Sequence, residues 1–342
     1  MGSSPQVSHH RVGFAVKVLG DGGLPSHDAR RWQSGPHLRE SLKAVRAILD
    51  YLDAHDVRMY RLVTGLAPYA SHPDLPQFHG QVEECADELA EVGALAAARG
   101  IRLSSHPGQY TVLNSEREET VRSAIAELEV QAALFDAMGL GPESRVLIHV
   151  GGAAGGIDAA VDRFAAGFER LSPPAQARLA IENDDTSFGV GAVVGLAERI
   201  GIPVIWDVLH HHCHDPDRIP DAEALTMALD TWPEGVVPKI HYSSPRLDME
   251  LRKKKVGRRT EEHPWLPPMR AHADLIDPLA FEAFLMQDNR AGRDFDVMLE
   301  AKAKDLALLR LRDQLAARGI PWDAGRLAVA HQATRATAMA HR

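Results

Sequence analysis

Cysteine is nearly absent. The 342 residues hold two, Cys85 and Cys213, too few for a disulfide framework and suited to a reducing compartment. Cys85 lies in a helical pattern and is expected as a core thiol. No apolar run approaches the roughly 20 residues that span a bilayer, and the opening MGSSPQVSHH lacks the apolar stretch of a secretion signal. The expectation is a cytoplasmic chain with no membrane partner. Nucleotide-binding loops are missing as well. The long glycine-rich segment Gly20 to Gly35 has no GxGxxG opening a helix, and no GxxxxGK[ST] occurs, so no nucleotide cofactor is expected. Positive charge is in deficit, with 38 Lys and Arg against 47 Asp and Glu for a net of -9. That excludes indiscriminate coating of nucleic acid but not a local basic patch.

What is present is a chain of average globular make-up, 45% hydrophobic and 25% charged, able to bury a large core. Strand-like runs alternate with helical ones. The strands are Arg11 to Leu19, Met59 to Val63, Ile101 to Ser105, Val146 to Val150, Leu179 to Asn183, Val204 to Val208, Pro238 to Tyr242 and Asp296 to Glu300. Helical spacing marks Leu38 to Ala54, Val82 to Arg99, Val121 to Met138, Leu279 to Gln287 and Lys302 to Ala316. Eight strands alternating with helices, several entered through a Gly or Pro turn, predict a single-domain α/β protein, a (β/α)8 TIM barrel over residues 11–317. An open doubly wound sheet is the rival arrangement. Residues 1–10 are set apart as an extension, and 318–342 as an alanine-rich tail that packs loosely.

The chemistry gathers where the strands end. His106 follows the third strand, His149 and Glu182 lie in the fourth and fifth, and Asp207 is in the sixth with His210 just beyond. His241 and Glu300 lie in the seventh and eighth. In a (β/α)8 barrel these ends converge on the face that carries the active site. Singly, each has a structural explanation: His106 shapes a turn before Pro107, Glu182 caps a helix, His149 is a satisfied core histidine. Jointly they point to metal ligation, because clustered buried carboxylates and imidazoles without a metal would carry a large desolvation cost. Nitrogen and oxygen donors without thiolate favour Zn2+, Mn2+ or Fe2+ over Ca2+. Within HHHCHD, His210 is the expected ligand, while His211, His212, Cys213 and His214 are assigned to a loop or an outer shell. His72 and His272 lie in loops and are weaker on residues alone. Lys239, two positions before His241, shares its face, so its ammonium must be ion-paired, deprotonated or modified, an ion pair being the first expectation. Arg252 to Lys255 with Arg258 and Arg259 form a basic stretch, either a solvated loop or a phosphate contact.

The motifs SSHPGQYTVLNS, IHVGG, IENDD, WDVLHHHCHD, KIHYSS, AHADLI and DVMLEAKAKDLAL run from Ser104 to Leu308. With them the chain resembles the UV damage endonucleases, DNA repair nucleases of the xylose-isomerase-like barrel superfamily, over roughly residues 12–314. The resemblance implies up to three divalent metals, commonly Mn2+ with Zn2+ or Mg2+ as alternatives, held by His72, His106, His149, Glu182, Asp207, His210, His241, His272 and Glu300. It assigns catalysis to Glu182, Lys239, His241 and Glu300, with Lys239 able to be carboxylated at Nζ. Gln109 and Tyr110 match residues that probe a damaged duplex, filling the gap left by extruded nucleotides. Many members carry a Tyr and an Asn in the first strand and its loop; this chain has Phe14 followed by AVKV, and Phe14 is the expected lesion-facing residue there. With a duplex as partner, Lys253, Lys254, Lys255, Arg258 and Arg259 become a phosphate-contacting loop. The implied reaction is metal-dependent hydrolysis immediately 5′ to a cyclobutane dimer or 6-4 photoproduct; a monomer is the default expectation, since a bent duplex needs an open face. The rivals are an abasic-site endonuclease of the same superfamily, a two-metal sugar isomerase, and a DNA-binding protein with a structural metal.

Overall fold

Alternation decides the first strand. In β1 (Gln6–Ala15), Val12 and Phe14 enter the large apolar core with the helices, while Ala15 packs with Met59 and Met298 in a small separate cluster. Gly13 shares the face of Ala15, and a Cβ there would lie 2.4 Å from the Met59 carbonyl oxygen, so only glycine permits this approach. The computed structural model describes residues 6–257, 259–287 and 292–331.

The further strands are β2 (Met59–Leu62), β3 (Arg102–Ser105), β4 (Val146–His149), β5 (Leu179–Glu182), β6 (Val204–Ile205), β7 (Lys239–Tyr242), β8 (Glu250–Val256), β9 (Arg259–Trp265), β10 (Asp296–Leu299), β11 (Trp322–Asp323) and β12 (Arg326–His331). Parallel pairing runs from β1 through β6 in order, and β10 pairs with both β7 and β1. Between β6 and β7 a parallel bridge joins Asp207 to His241, and the His241 N–H donates to the Trp206 carbonyl at 2.9 Å. The eight parallel strands β1 to β7 and β10 thus close into a (β/α)8 barrel, which confirms the expected fold.

The helices bury the stripe their spacing predicts. In Leu38–Ala54, Leu42, Val45, Ile48, Leu49 and Leu52 are at most 1% exposed. Truncating any of them to Ala costs about 2–5 kcal/mol. Several expected bounds move for local reasons. The second helix is interrupted at Cys85, leaving Gln81–Glu84 and Ala86–Ala98, and Cys85 is the buried thiol expected. The sixth strand ends at Ile205 rather than Val208, because Asp207 is the N-cap of a helix, Val208–Cys213, its side chain accepting from the His210 N–H. That helix also takes in His211 and His212, which are therefore not in a loop.

Two segments differ more. The described part of the expected loose tail is ordered into sheet: β12 pairs antiparallel with β1 from Gln6↔His331 to Arg11↔Arg326. Ser8 Oγ lies 2.7 Å from both His10 Nε2 and His331 Nε2, all three buried. The basic stretch is no loop but an antiparallel hairpin of β8 and β9, with Lys254 opposite Glu261 and Lys253 opposite Glu262. Arg258 lies outside the described residues. Among those described, no helix is long and apolar enough to cross a membrane.

Candidate metal centre

Glu182 ends β5 fully buried, and three other strand ends and the helix Val208–Cys213 send an imidazole toward its carboxylate. His106 Nε2 lies 3.3 Å from Oε2 and His149 Nε2 3.7 Å from it. His241 Nδ1 lies 2.9 Å from Oε1, and His210 Nδ1 3.7 Å from it. His241 Nδ1 is also 3.3 Å from Glu300 Oε1. His272 Nδ1 donates to the Glu300 carbonyl at 2.8 Å and lies 3.8 Å from Oε2 of that residue. The rings of His210 and His272 are 6.3 Å apart. Eight of the nine expected ligands therefore meet at the carboxyl ends of the strands. Donor atoms of His106, His149 and Glu182, and of Glu182, Asp207 and His241, lie within 4.8 Å of one another.

The ninth, His72, lies in the loop that follows β2. It lines a cleft of about 550 Å3 with Tyr69, Ser71, Gly108 and Tyr110, and among the described residues no hydrogen bond, ion pair or ring contact joins it to the cluster. Its backbone N–H donates to the Tyr69 carbonyl at 3.0 Å, which holds it in its own loop.

Several polar atoms of the cluster are left without partners, a condition that a bound cation would relieve. Glu182 Oε2, Asp207 Oδ2, His106 Nδ1, His149 Nδ1 and His241 Nε2 are buried without hydrogen-bond partners, an expensive condition for polar groups. Burial pushes His106 down to about 4 and lifts Asp207 above the usual carboxylate range. Burial opposes the charge of His210, but Asp207, Glu182 and Glu300 outweigh it and raise its pKa to about 9. These orphaned donors, imidazole and carboxylate in nearly equal number, fit a divalent first-row metal.

Lys239 is 1% exposed and its Nζ has no partner, so the expected ion pair is not formed. Burial foremost, then Arg102 and Arg61, holds the amine well below its ordinary pKa. The carboxylate nearest in register, Asp296, is taken by Arg102, whose Nη1 donates to its Oδ2 at 2.8 Å. Phe14 is also corrected: it is fully buried in the large core, its ring 5.4 Å from that of Tyr60 in an edge-on pair, and so exposes nothing to a lesion. Gln109 and Tyr110 are exposed, Tyr110 at 82%. Both line a second cleft of about 550 Å3 with His149, Gly151 and Asp185.

Two supporting residues were not anticipated. Arg61 on β2 donates from Nη1 to Glu300 Oε1; the signal was a lone cation inside the strand MYRLV. Asn183 takes the Asp207 N–H at 2.9 Å and donates to its carbonyl at 3.0 Å, fixing the ligand's backbone, and it stands within the motif IENDD.

The family model described as UV-endonuclease UvdE matches residues 36–327, a span that takes in the whole cluster. A UV DNA damage endonuclease of Bacillus cereus (strain G9842) is 32% identical over 285 residues, 83% of each chain. That of Bacillus pumilus (strain SAFR-032) is 33% identical over 265 residues, 77% of each. Among solved structures, SacUVDE is 30% identical with a TM-score of 0.73, over 91% of this chain and 99% of that one. A barrel whose strand ends converge on Glu182, matched along most of its length by these relatives, belongs to the UV-endonuclease UvdE family.

Proposed function

We propose that this chain is a metal-dependent DNA repair endonuclease that nicks duplex DNA immediately 5′ to UV photolesions, cyclobutane dimers and 6-4 photoproducts. The observation that carries the reading is the meeting of four imidazoles, three from strand ends and His210 from the helix after β6, on the buried Glu182 carboxylate. His106, His149, Glu182, Asp207, His210, His241, His272 and Glu300 would hold the ions, Mn2+ in first place; for His72 the case rests on resemblance alone. When bound, such ions supply Lewis acidity toward the phosphate and a water of lowered pKa.

The protein's own part is placement. Glu182 Oε1 receives His241 Nδ1, so His241 keeps Nε2 free for ligation. Glu300 is steadied by Arg61 and by its carbonyl bond to His272. Water oxygen attacks phosphorus, the bond from phosphorus to the 3′ oxygen breaks, and the products are a 3′-hydroxyl and a 5′-phosphate. The Lys239 amine, neutral and unpartnered, is suited to add CO2 and become a carbamate facing the ions, as the resemblance suggests. Tyr110, which lines both clefts, and Gln109, which lines one, would enter the stack as lesion nucleotides leave it.

The test is nicking of an end-labelled duplex bearing one cyclobutane dimer, with Mn2+, Zn2+ or Mg2+, beside undamaged and abasic duplexes and a Glu300→Gln enzyme. A metal-dependent cut 5′ to the dimer is expected, with Glu300→Gln slower by at least about a hundredfold, the scale of losing one preorganised charged group. Cutting of the abasic duplex alone would transfer the reading to an abasic-site endonuclease, and no cutting under any metal would sink it.

A further inference from the structure

The β8–β9 hairpin contributes nothing to the core. From Leu251 to Val256 and from Arg259 to Pro264 its residues are exposed, and it forms a sheet of two strands only, an arrangement of marginal intrinsic stability. It is nevertheless rooted firmly on the rim of the metal centre. Pro245 bridges antiparallel to His272, the Arg246 N–H donates to the Ala271 carbonyl at 2.6 Å, and that of Ala273 to the Ser244 carbonyl at 2.9 Å. At the base Arg252 stacks on Trp265, 3.2 Å from its ring centre. Seven residues per strand extend roughly 24 Å, enough to reach well beyond the barrel mouth.

Charge is distributed unevenly on this ribbon. In β8 four cations run consecutively, Arg252 to Lys255, while β9 carries Glu261 and Glu262. Arg252 is paired with Glu250 at 3.1 Å. Lys253, Lys254, Lys255 and Arg259 have no ion pair or hydrogen bond from their side chains among the described residues. Alternation throws Lys254 to one face and Lys253 and Lys255 to the other, so the positive charge follows the β8 edge rather than either face. Along that edge every second backbone N–H also lacks a strand partner. A line of cations with outward N–H groups matches the anionic oxygens of a nucleic-acid backbone. In a chain with net charge -9, such a line gives an approaching duplex a preferred place to settle.

We propose that the β8 edge of this ribbon is a phosphate-binding arm that grips the sugar–phosphate backbone of the duplex beside the damaged site. The inference rests on the reading of the metal centre as a DNA nuclease, and it assigns the ribbon to sequence-independent positioning, not to the chemistry. Lysines on an exposed edge also discourage strand-to-strand aggregation, and the exposed Leu247, Met249, Leu251 and Leu266 would equally suit a protein partner; the measurement separates these roles.

Binding of the full chain to a fluorescent, lesion-free duplex of about 30 base pairs is followed from about 50 to 200 mM salt. The enzyme carrying Lys253→Gln, Lys254→Gln and Lys255→Gln is compared with wild type and with a control carrying Lys43→Gln, Arg46→Gln and Arg199→Gln on outer helices. The arm variant should lose about 2 to 3 units of the slope of log K against log salt, close to one per phosphate contact, while the control keeps the wild-type slope. In nicking of a dimer-bearing duplex its loss should fall on KM and narrow as the flank is shortened. Sedimentation of each protein completes the set. An unchanged slope overturns the proposal, and if the variant also changes oligomeric state, the ribbon is an association surface or an aggregation guard instead. Because the slope is read on undamaged DNA, it stands whether or not wild type nicks a dimer, so failure of the nuclease reading shows separately.

Discussion

His10 and His331 meet on the hydroxyl of Ser8, far in sequence from each other, and neither took part in the sequence reading. Burial pushes His10 down to about 4, against the opposing pull of Asp294 and Asp296, and lowers His331 as well. The folded state therefore holds fewer protons on these rings than the unfolded chain. Their contribution to stability is complete above about pH 6.5 and is lost as pH falls toward about 4. A His10→Gln variant should show a shallower fall in urea midpoint between about pH 7 and about pH 5 than wild type; parallel falls would mean that the acid sensitivity lies elsewhere. Residues of this kind are illegible in a sequence because their meaning comes from a partner more than 300 positions away. The candidate ligands were legible for the opposite reason: a histidine or carboxylate at the end of a strand already has its place once the barrel is inferred. Phe14 shows the limit, since one step along a strand reverses the face a side chain takes. Lys239 was expected in an ion pair, but only the neighbours showed that the acid opposite it in register, Asp296, is held by Arg102.

At the scale of elements, helix existence followed from apolar spacing, while ends followed from caps and close contacts. Asp207 is both a candidate ligand and the N-cap of Val208–Cys213, so the strand must stop where the helix starts. In the helix Ala86–Ala98, Gly93 lies against the chain at Met138, where an added Cβ would stand 1.7 Å from the carbonyl oxygen. Nothing in a run of alanines and leucines announces that contact. Gly93→Ala should cost about 1–3 kcal/mol despite its gain in helix propensity, because backbone must move; a urea midpoint equal to or above wild type would refute this. The basic segment was legible as charge but not as shape. Its strands gain no core and declare themselves only through cross-strand pairing of β8 with β9.

Across the whole molecule, barrel closure and the candidate metal centre share residues, since the link from β6 to β7 runs through Asp207 and His241. A bound ion should therefore stabilise the fold as well as enable the reaction. Exhaustive chelation is expected to lower Tm and abolish nicking, and readdition of Mn2+ to restore both; an ion at a hundredfold excess over its Kd is worth about 2.7 kcal/mol. A melting curve and activity indifferent to chelation would contradict the metal centre. The sequence by itself determined the alternation of strands and helices and the strand ends at which the candidate ligands stand, because periodicity and strand polarity are local properties that survive without coordinates; closure into a barrel over an open sheet was decided by the pairing of β10 with β1 and β7. Only the tertiary structure decided that β12 straps β1, that Lys239 is left unpaired, that Phe14 is interior, and that the basic stretch is a ribbon. Each of these turns on which distant groups share a space, and burial and pairing between distant groups are properties of the folded chain, not of any stretch of it.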